Sequence, residues 1–182
     1  MGAMRKLLLL STAVLATLVV AAPASAQPSG DTIVTFTVGT SNLSIAVPAA
    51  ANIGNAFPGS STSGQLGPVQ VTDARAAATA TWTASVVTTS FTTTAGTPDE
   101  TIPINAISYW SGPATATTGT GTFVPGQLTA ADAVVLNVPR VAFSKTSGAG
   151  NNSATWNPTL RVDVPPGAVG GLYTGTVTHS VA

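Results

Sequence analysis

Cysteine is absent and histidine occurs once, at His179. Without a thiol there is no disulfide framework, no cysteine-ligated zinc or iron–sulfur centre, no thiol nucleophile and no lipid-modified N-terminal cysteine. Charge is scarce as well. Asp, Glu, Lys and Arg make up 7% of the 182 residues, against ~25% in an ordinary soluble domain. The formal net charge is +0 and no basic run occurs. That argues against nucleic-acid binding, where cations must replace the counterions of the phosphate backbone. Aromatic residues account for only 5%. What fills the chain instead is Ala, Thr and Ser, with 18 Gly and 13 Pro.

One apolar run is long, from Leu7 to Ala22. Arg5 and Lys6 precede it, and Pro23 and the triplet Ala24-Ser25-Ala26 follow. A charged start, an apolar middle and a small-residue A-x-A site form a secretory leader, and the run is shorter than the ~20 residues a spanning helix needs. The expectation is a signal peptide over residues 1–26, a single secreted domain over 27–182 and no membrane span after cleavage. That domain would carry Arg75, Arg140, Lys145 and Arg161 against 6 acidic residues. The end, Ser180-Val181-Ala182, shows no sorting motif or apolar tail, so no covalent anchor is expected. A domain of this size buries ~68–70% of its unfolded surface and folds without staples.

The hydrophobic period is two. Val34, Phe36 and Val38 alternate with threonines. So do Leu43, Ile45 and Val47 with small residues, Val69 and Val71 around Gln70, and Ala80, Trp82, Ala84 and Val86 with hydroxyls. Leu160, Val162 and Val164 alternate with Arg161 and Asp163, and Tyr173, Val177, His179 and Val181 with Thr and Ser. One apolar face and one hydroxyl face mark half-solvated antiparallel strands. Turn signals separate them, among them Val38-Gly39-Thr40-Ser41, Phe57-Pro58-Gly59-Ser60 and Pro165-Pro166-Gly167. The reading is all-β, an antiparallel β-sandwich with a long irregular central segment. The best helical signal, Thr129 answered by Asp132, predicts one turn at most, and Ala74–Ala80 reads as a turn leading into the Trp82 strand. From Thr88 to Gln127 the pattern is irregular, and Ala114–Thr122 is a low-complexity Thr/Ala/Gly tract. It is either a sheet-edge excursion or a flexible loop.

Catalytic constellations are poor. Nucleophilic catalysis needs a base beside a hydroxyl, and His179 is the one imidazole, on a face with Tyr173, Val177 and Val181. Asp31, Asp73, Asp132 and Asp163 stand singly, and Asp99-Glu100 would point to opposite faces of a strand. No metal-ligand spacing and no phosphate-cradling loop occurs. Neither a catalytic residue, a metal nor a cofactor is expected. Asp73 and Arg75, two residues apart, read as an ion pair or a backbone-bonded turn fastening the loop before Trp82, the alternative being a surface binding role. Such a pair in the open is worth ~0–1 kcal/mol. Trp82 and Trp156 read as core. Tyr109 and Trp110 face opposite ways if extended. They form the candidate ligand-binding pair, an exposed ring to stack on a sugar, with a half-buried plug as the plainer reading.

The run Thr72-Asp73-Ala74-Arg75, then Trp82-Thr83-Ala84-Ser85-Val86, then Ser90-Phe91-Thr92 resembles the WxL-type domains of Gram-positive cell surfaces. The end, Gly170-Gly171-Leu172-Tyr173-Thr174 through His179-Ser180-Val181, resembles that family's closing strand. Ala84 stands for the Leu of the first Trp-x-Leu, and His179 for the Trp of the second. The resemblance implies a WxL-like β-sandwich in which Asp73, Arg75, Trp82, Tyr173 and His179 are structural. It also implies non-covalent attachment to the cell wall through peptidoglycan. The Pro-x-Gly-Ala and Gly-x-Tyr-Thr elements of the ending also resemble pilin- or spore-coat-like Ig-type subunits.

Three functions are therefore carried forward. The first is a non-catalytic, wall-associated surface module binding glycan or other surface proteins. The second is a structural subunit assembling by strand pairing, and the third a secreted hydrolase, which would need two acids, or an acid and His179, in one cleft. The low charge predicts self-association or surface adhesion with weak salt dependence.

Overall fold

The computed structural model describes residues 32–182; the expected signal peptide and Asp31 lie outside the described residues. The β-body spans Val38–Ala182. Its strands are β1 (Leu43–Ala46), β2 (Ser61–Gln65), β3 (Val69–Asp73), β4 (Trp82–Thr88) and β5 (Phe91–Thr92). Then come β6 (Thr101–Ile102), β7 (Ile107–Trp110), β8 (Ala114–Thr118), β9 (Phe123–Pro125) and β10 (Val134–Val135). The last four are β11 (Arg140–Lys145), β12 (Asn152–Trp156), β13 (Thr159–Asp163) and β14 (Val177–Val181). All strand pairings are antiparallel.

One layer is a sheet bent across its middle. Its halves have the orders β1-β3-β12-β8 and β10-β7-β13-β2. The same three chain runs, β2–β3, β13–β12 and β7–β8, lie side by side in both. Each run breaks where the sequence cannot continue a strand: Gly67-Pro68, Asn157-Pro158 and Gly112-Pro113. Gly67 and Gly112 have φ of 95° and 69°, a region open to glycine at little cost. The bends are stitched together: Leu66 N–H donates to the Pro158 carbonyl at 2.9 Å and Gly67 N–H to Asn157 Oδ1 at 3.1 Å. The second layer has the order β14-β4-β11-β9, and β5-β6 form a short ribbon.

The core lies between the layers. Trp82, Ala84 and Val86 of β4 and Phe143 of β11 meet Val69, Val71, Tyr109, Ala154, Trp156 and Leu160. Phe143 stacks on Trp156 with ring centroids 4.9 Å apart. Trp82 and Trp156 are buried, as the alternation required. Thr129 and Asp132 cap one 3-10 turn, Ala130–Asp132.

One expectation changes. Val34, Phe36 and Val38 form no strand; they are 80%, 86% and 66% exposed. Alternation measures fitness for a sheet, and a segment becomes a strand only where it is paired. The irregular central segment holds the short elements β5 to β9, with β7 in the core sheet; of the two readings of its Thr/Ala tract the sheet-edge one holds, as edge strand β8 paired to β12. All of β8 is exposed, so its side chains had no inward period to display. Thr115 Oγ1 donates to the Thr155 carbonyl, and Thr118 and Ser153 hydroxyls bond at 2.8 Å.

Candidate functional site

Asp73 ends β3 on the inward side, in register with Val69 and Val71, and is 1% exposed. A carboxylate there needs partners for every lone pair. Arg75 Nε donates to its Oδ1 and an Arg75 terminal nitrogen to its Oδ2, both at 2.9 Å, and the Arg75 backbone N–H adds a bond at 3.1 Å. Asn152 Nδ2 donates to Oδ2 at 3.2 Å, and Asn152 Oδ1 accepts the Trp82 indole N–H at 2.8 Å. Arg75 also reaches the Thr81 carbonyl at 2.8 Å. The ion pair and the backbone-bonded turn are thus one device that closes the 74–81 turn onto Trp82. The Arg75 hydrogen bonds hold the Asp73 carboxyl down at about 2, against the opposing effect of burial; Asn152 helps. Its carboxylate is buried, so the surface-pair estimate of its worth does not apply.

His179 lies on the inward face of β14 between Val177 and Val181. Its Nε2 is 3.2 Å from the Tyr109 hydroxyl, which accepts the Trp156 indole N–H at 3.3 Å. The hydroxyl and Nε2 share one hydrogen, and which of them donates follows the tautomer of the imidazole. Burial pushes the imidazole down to about 4, which keeps it neutral near pH 7, and burial pushes the Tyr109 phenol up. Tyr173 is half-buried, and its hydroxyl is shared between the carbonyls of Asp99 at 3.1 Å and Val169 at 2.9 Å.

The candidate pair separates. Tyr109 is 0% exposed, and a ring with no free face cannot stack on a sugar. Trp110 points the other way and is half-buried, so of the two it alone presents surface to a ligand. The carboxylates are dispersed: Glu100 and Asp132 cap 3-10 turns, and Asp163 pairs with Arg161 at the surface. Among the described residues no three His, Cys, Asp or Glu gather as metal ligands would.

An apolar groove of about 550 Å³ opens at one edge of the sandwich. Ile53, Val69, Leu160 and Val162 line it from the bent sheet, Val177 and His179 from β14, and loops 47–56 and 168–176 form its rims. No Asp, Glu, Lys or Arg touches it. Sequence reading did not single out the 47–56 loop, and took Gly170–Thr174 only as part of the closing segment. Their apolar residues have no regular period, and the signal that existed was the run of small residues at Pro48-Ala49-Ala50-Ala51 and Gly170-Gly171.

No protein-family model, curated protein or solved structure matches this chain.

Proposed function

We propose that the chain is an exported, non-catalytic surface module that associates without covalent bonds with cell-wall glycan or with partner surface proteins. The observation that carries this reading is the groove. Its lining holds no acid and no cation, only His179 and the Tyr173 hydroxyl as titratable groups. A hydrolytic cleft needs a paired acid and base; a binding surface does not. Trp110, half-buried beside Thr159, offers a ring face for a sugar. The leader-like start and the WxL-like residues around Asp73, Arg75 and Trp82 add the cell-surface setting.

Sedimentation with purified Gram-positive cell walls tests it. The mature chain is expected in the pellet, and Trp110→Ala is expected to move it to the supernatant. Wild-type protein left in the supernatant overturns wall binding.

A second reading, assembly by strand pairing, has its own support. The strand-like segment Ile33–Val38 stands exposed while β14 has an open edge.

A further inference from the structure

Residues 174–182 bond along one side only. Thr174 exchanges backbone hydrogen bonds with Thr92, Thr89 N–H donates to the Thr176 carbonyl, β14 pairs with β4, and Ala182 exchanges bonds with Thr83. The opposite edge has no ladder partner among the described strands. β1 runs alongside β14 without pairing with it, and beyond Ala46 the chain leaves as the 47–56 loop, one rim of the groove. The result is an open edge directly above an apolar trough, a place where one strand is missing from the layer.

The same chain carries a segment with the properties of that strand. Thr32–Val38 spans ~23 Å if extended, at ~3.3 Å per residue, and the open run of about eight residues from Thr174 spans ~26 Å. Val34, Phe36 and Val38 share one face, with the spacing of the inward residues Val177, His179 and Val181; Thr35 and Thr37 share the other, as do Thr178 and Ser180. No charge stands in the segment or in the groove lining, so nothing ionic is buried by the union.

We propose that the groove is filled by segment 32–38 of a second copy of this chain, which pairs with the open edge of β14 and lays Val34, Phe36 and Val38 into the trough. This rests on the assembly reading above. A second copy is favoured over the chain's own segment by tethering. Ser41 N–H is bonded to the Ala74 carbonyl and Leu43 is paired with Asp73. Folding back over Gly39-Thr40 would lay Val38 beside Leu43 and Val34 beside Val47, along β1, so that only its far end meets the rim of the groove. A segment from another copy has no such tether, and because each copy offers one strand and one groove, the contact is head-to-tail and propagates.

The absence of cysteine makes the test clean. The mature protein is studied by analytical ultracentrifugation across concentration. Single-cysteine variants Thr35→Cys and Thr178→Cys, both outward positions, are mixed and oxidised. Expected are concentration-dependent oligomers, a Thr35–Thr178 cross-link between the two variants, and weakening of association by ~tenfold or more in Phe36→Asp. Phe36 is exposed in the single chain, so this change leaves the body folded. Strictly monomeric wild-type protein at high concentration overturns both the proposal and the assembly reading. Oligomers that persist in Phe36→Asp and give no cross-link overturn the proposal alone. So does a monomeric Thr35→Cys/Thr178→Cys double variant that closes its disulfide internally, since the occupant is then the chain's own segment.

Discussion

Replacing Asp73 by Asn keeps the shape and removes the charge. Two losses follow. The carboxyl is held at about 2 rather than 3.8, which corresponds to ~2.5 kcal/mol of folding stability at neutral pH. The Arg75 side chain is 38% exposed, so solvent screening trims this to ~2 kcal/mol. In addition, an Asn amide nitrogen in place of Oδ2 would set a donor against the Asn152 and Arg75 donors, costing ~1–2 kcal/mol for the frustrated buried groups. The sum is ~3–4 kcal/mol. With a urea m-value of ~2 kcal/mol/M, the midpoint should fall by ~1.5–2 M. The assay is urea unfolding of both proteins at several pH values. The charge part is fully present above pH 3.8 and disappears as pH falls through 2, because Asp73 then carries its proton in both states. A midpoint within ~0.3 M of wild type, or a gap that stays constant from pH 5 to pH 2, would refute the reasoning.

His179 should make the protein acid-sensitive over a higher window. Its folded value is about 4 against 6.5 in the unfolded chain. Its destabilising effect is therefore nil above pH 6.5, grows as pH falls towards 4, and reaches at most ~3 kcal/mol; in His179→Gln the urea midpoint should be flatter between pH 7 and 4.5. Gly126→Ala should be severe, because a Cβ there would lie 2.0 Å from the Val141 carbonyl oxygen. A loss of ~3 kcal/mol or more is expected by thermal unfolding, whereas Gly39→Ala, with nothing within 4 Å, should be nearly neutral. Association with walls or with other copies should change less than ~threefold between 0.05 and 0.5 M salt, since few charges face one another to be screened; a steep loss would show that charge carries the binding.

The strands legible in the sequence were those with one buried and one wet face: β1, β3, β4, β13 and β14. β11 was not, for a definite reason. A bulge between Val141 and Phe143 puts Ala142 and Phe143 inward together, and the last inward position is Lys145, 1% exposed. Its ammonium is satisfied by the Ala80 and Ser147 carbonyls at 2.7 Å. A broken period ending on a cation does not read as a core strand. The closing strand begins later than its alternation implies. At Gly175 a Cβ would meet the Phe91 ring at 1.8 Å, so the ring lies where a strand side chain would stand. The Asp73–Arg75 contact was visible from spacing, but its burial was not, because Asn152, which completes it, is 79 residues away. The His179–Tyr109–Trp156 chain had no local signature for the same reason: its members come from three strands in two layers.

Where the charges go explains what the surface can do. Asp73 and Lys145 are spent inside, Glu100 and Asp132 on caps, and Arg161 and Asp163 on each other. What remains outside is chiefly hydroxyl and methyl, and a protein with so little exposed charge has little repulsion to hold copies apart. Natural sheets usually defend an open edge with lysine, proline or a bulge. β14 carries Thr178 and Ser180 on its outer face, no charged residue and no proline. An edge left undefended above an apolar trough costs stability in the lone chain, because Val177 and His179 stay half-exposed. That cost makes sense if the lone chain is not the final state. With so little charge in the chain, backbone pairing and apolar burial are the forces left through which this molecule would meet a partner.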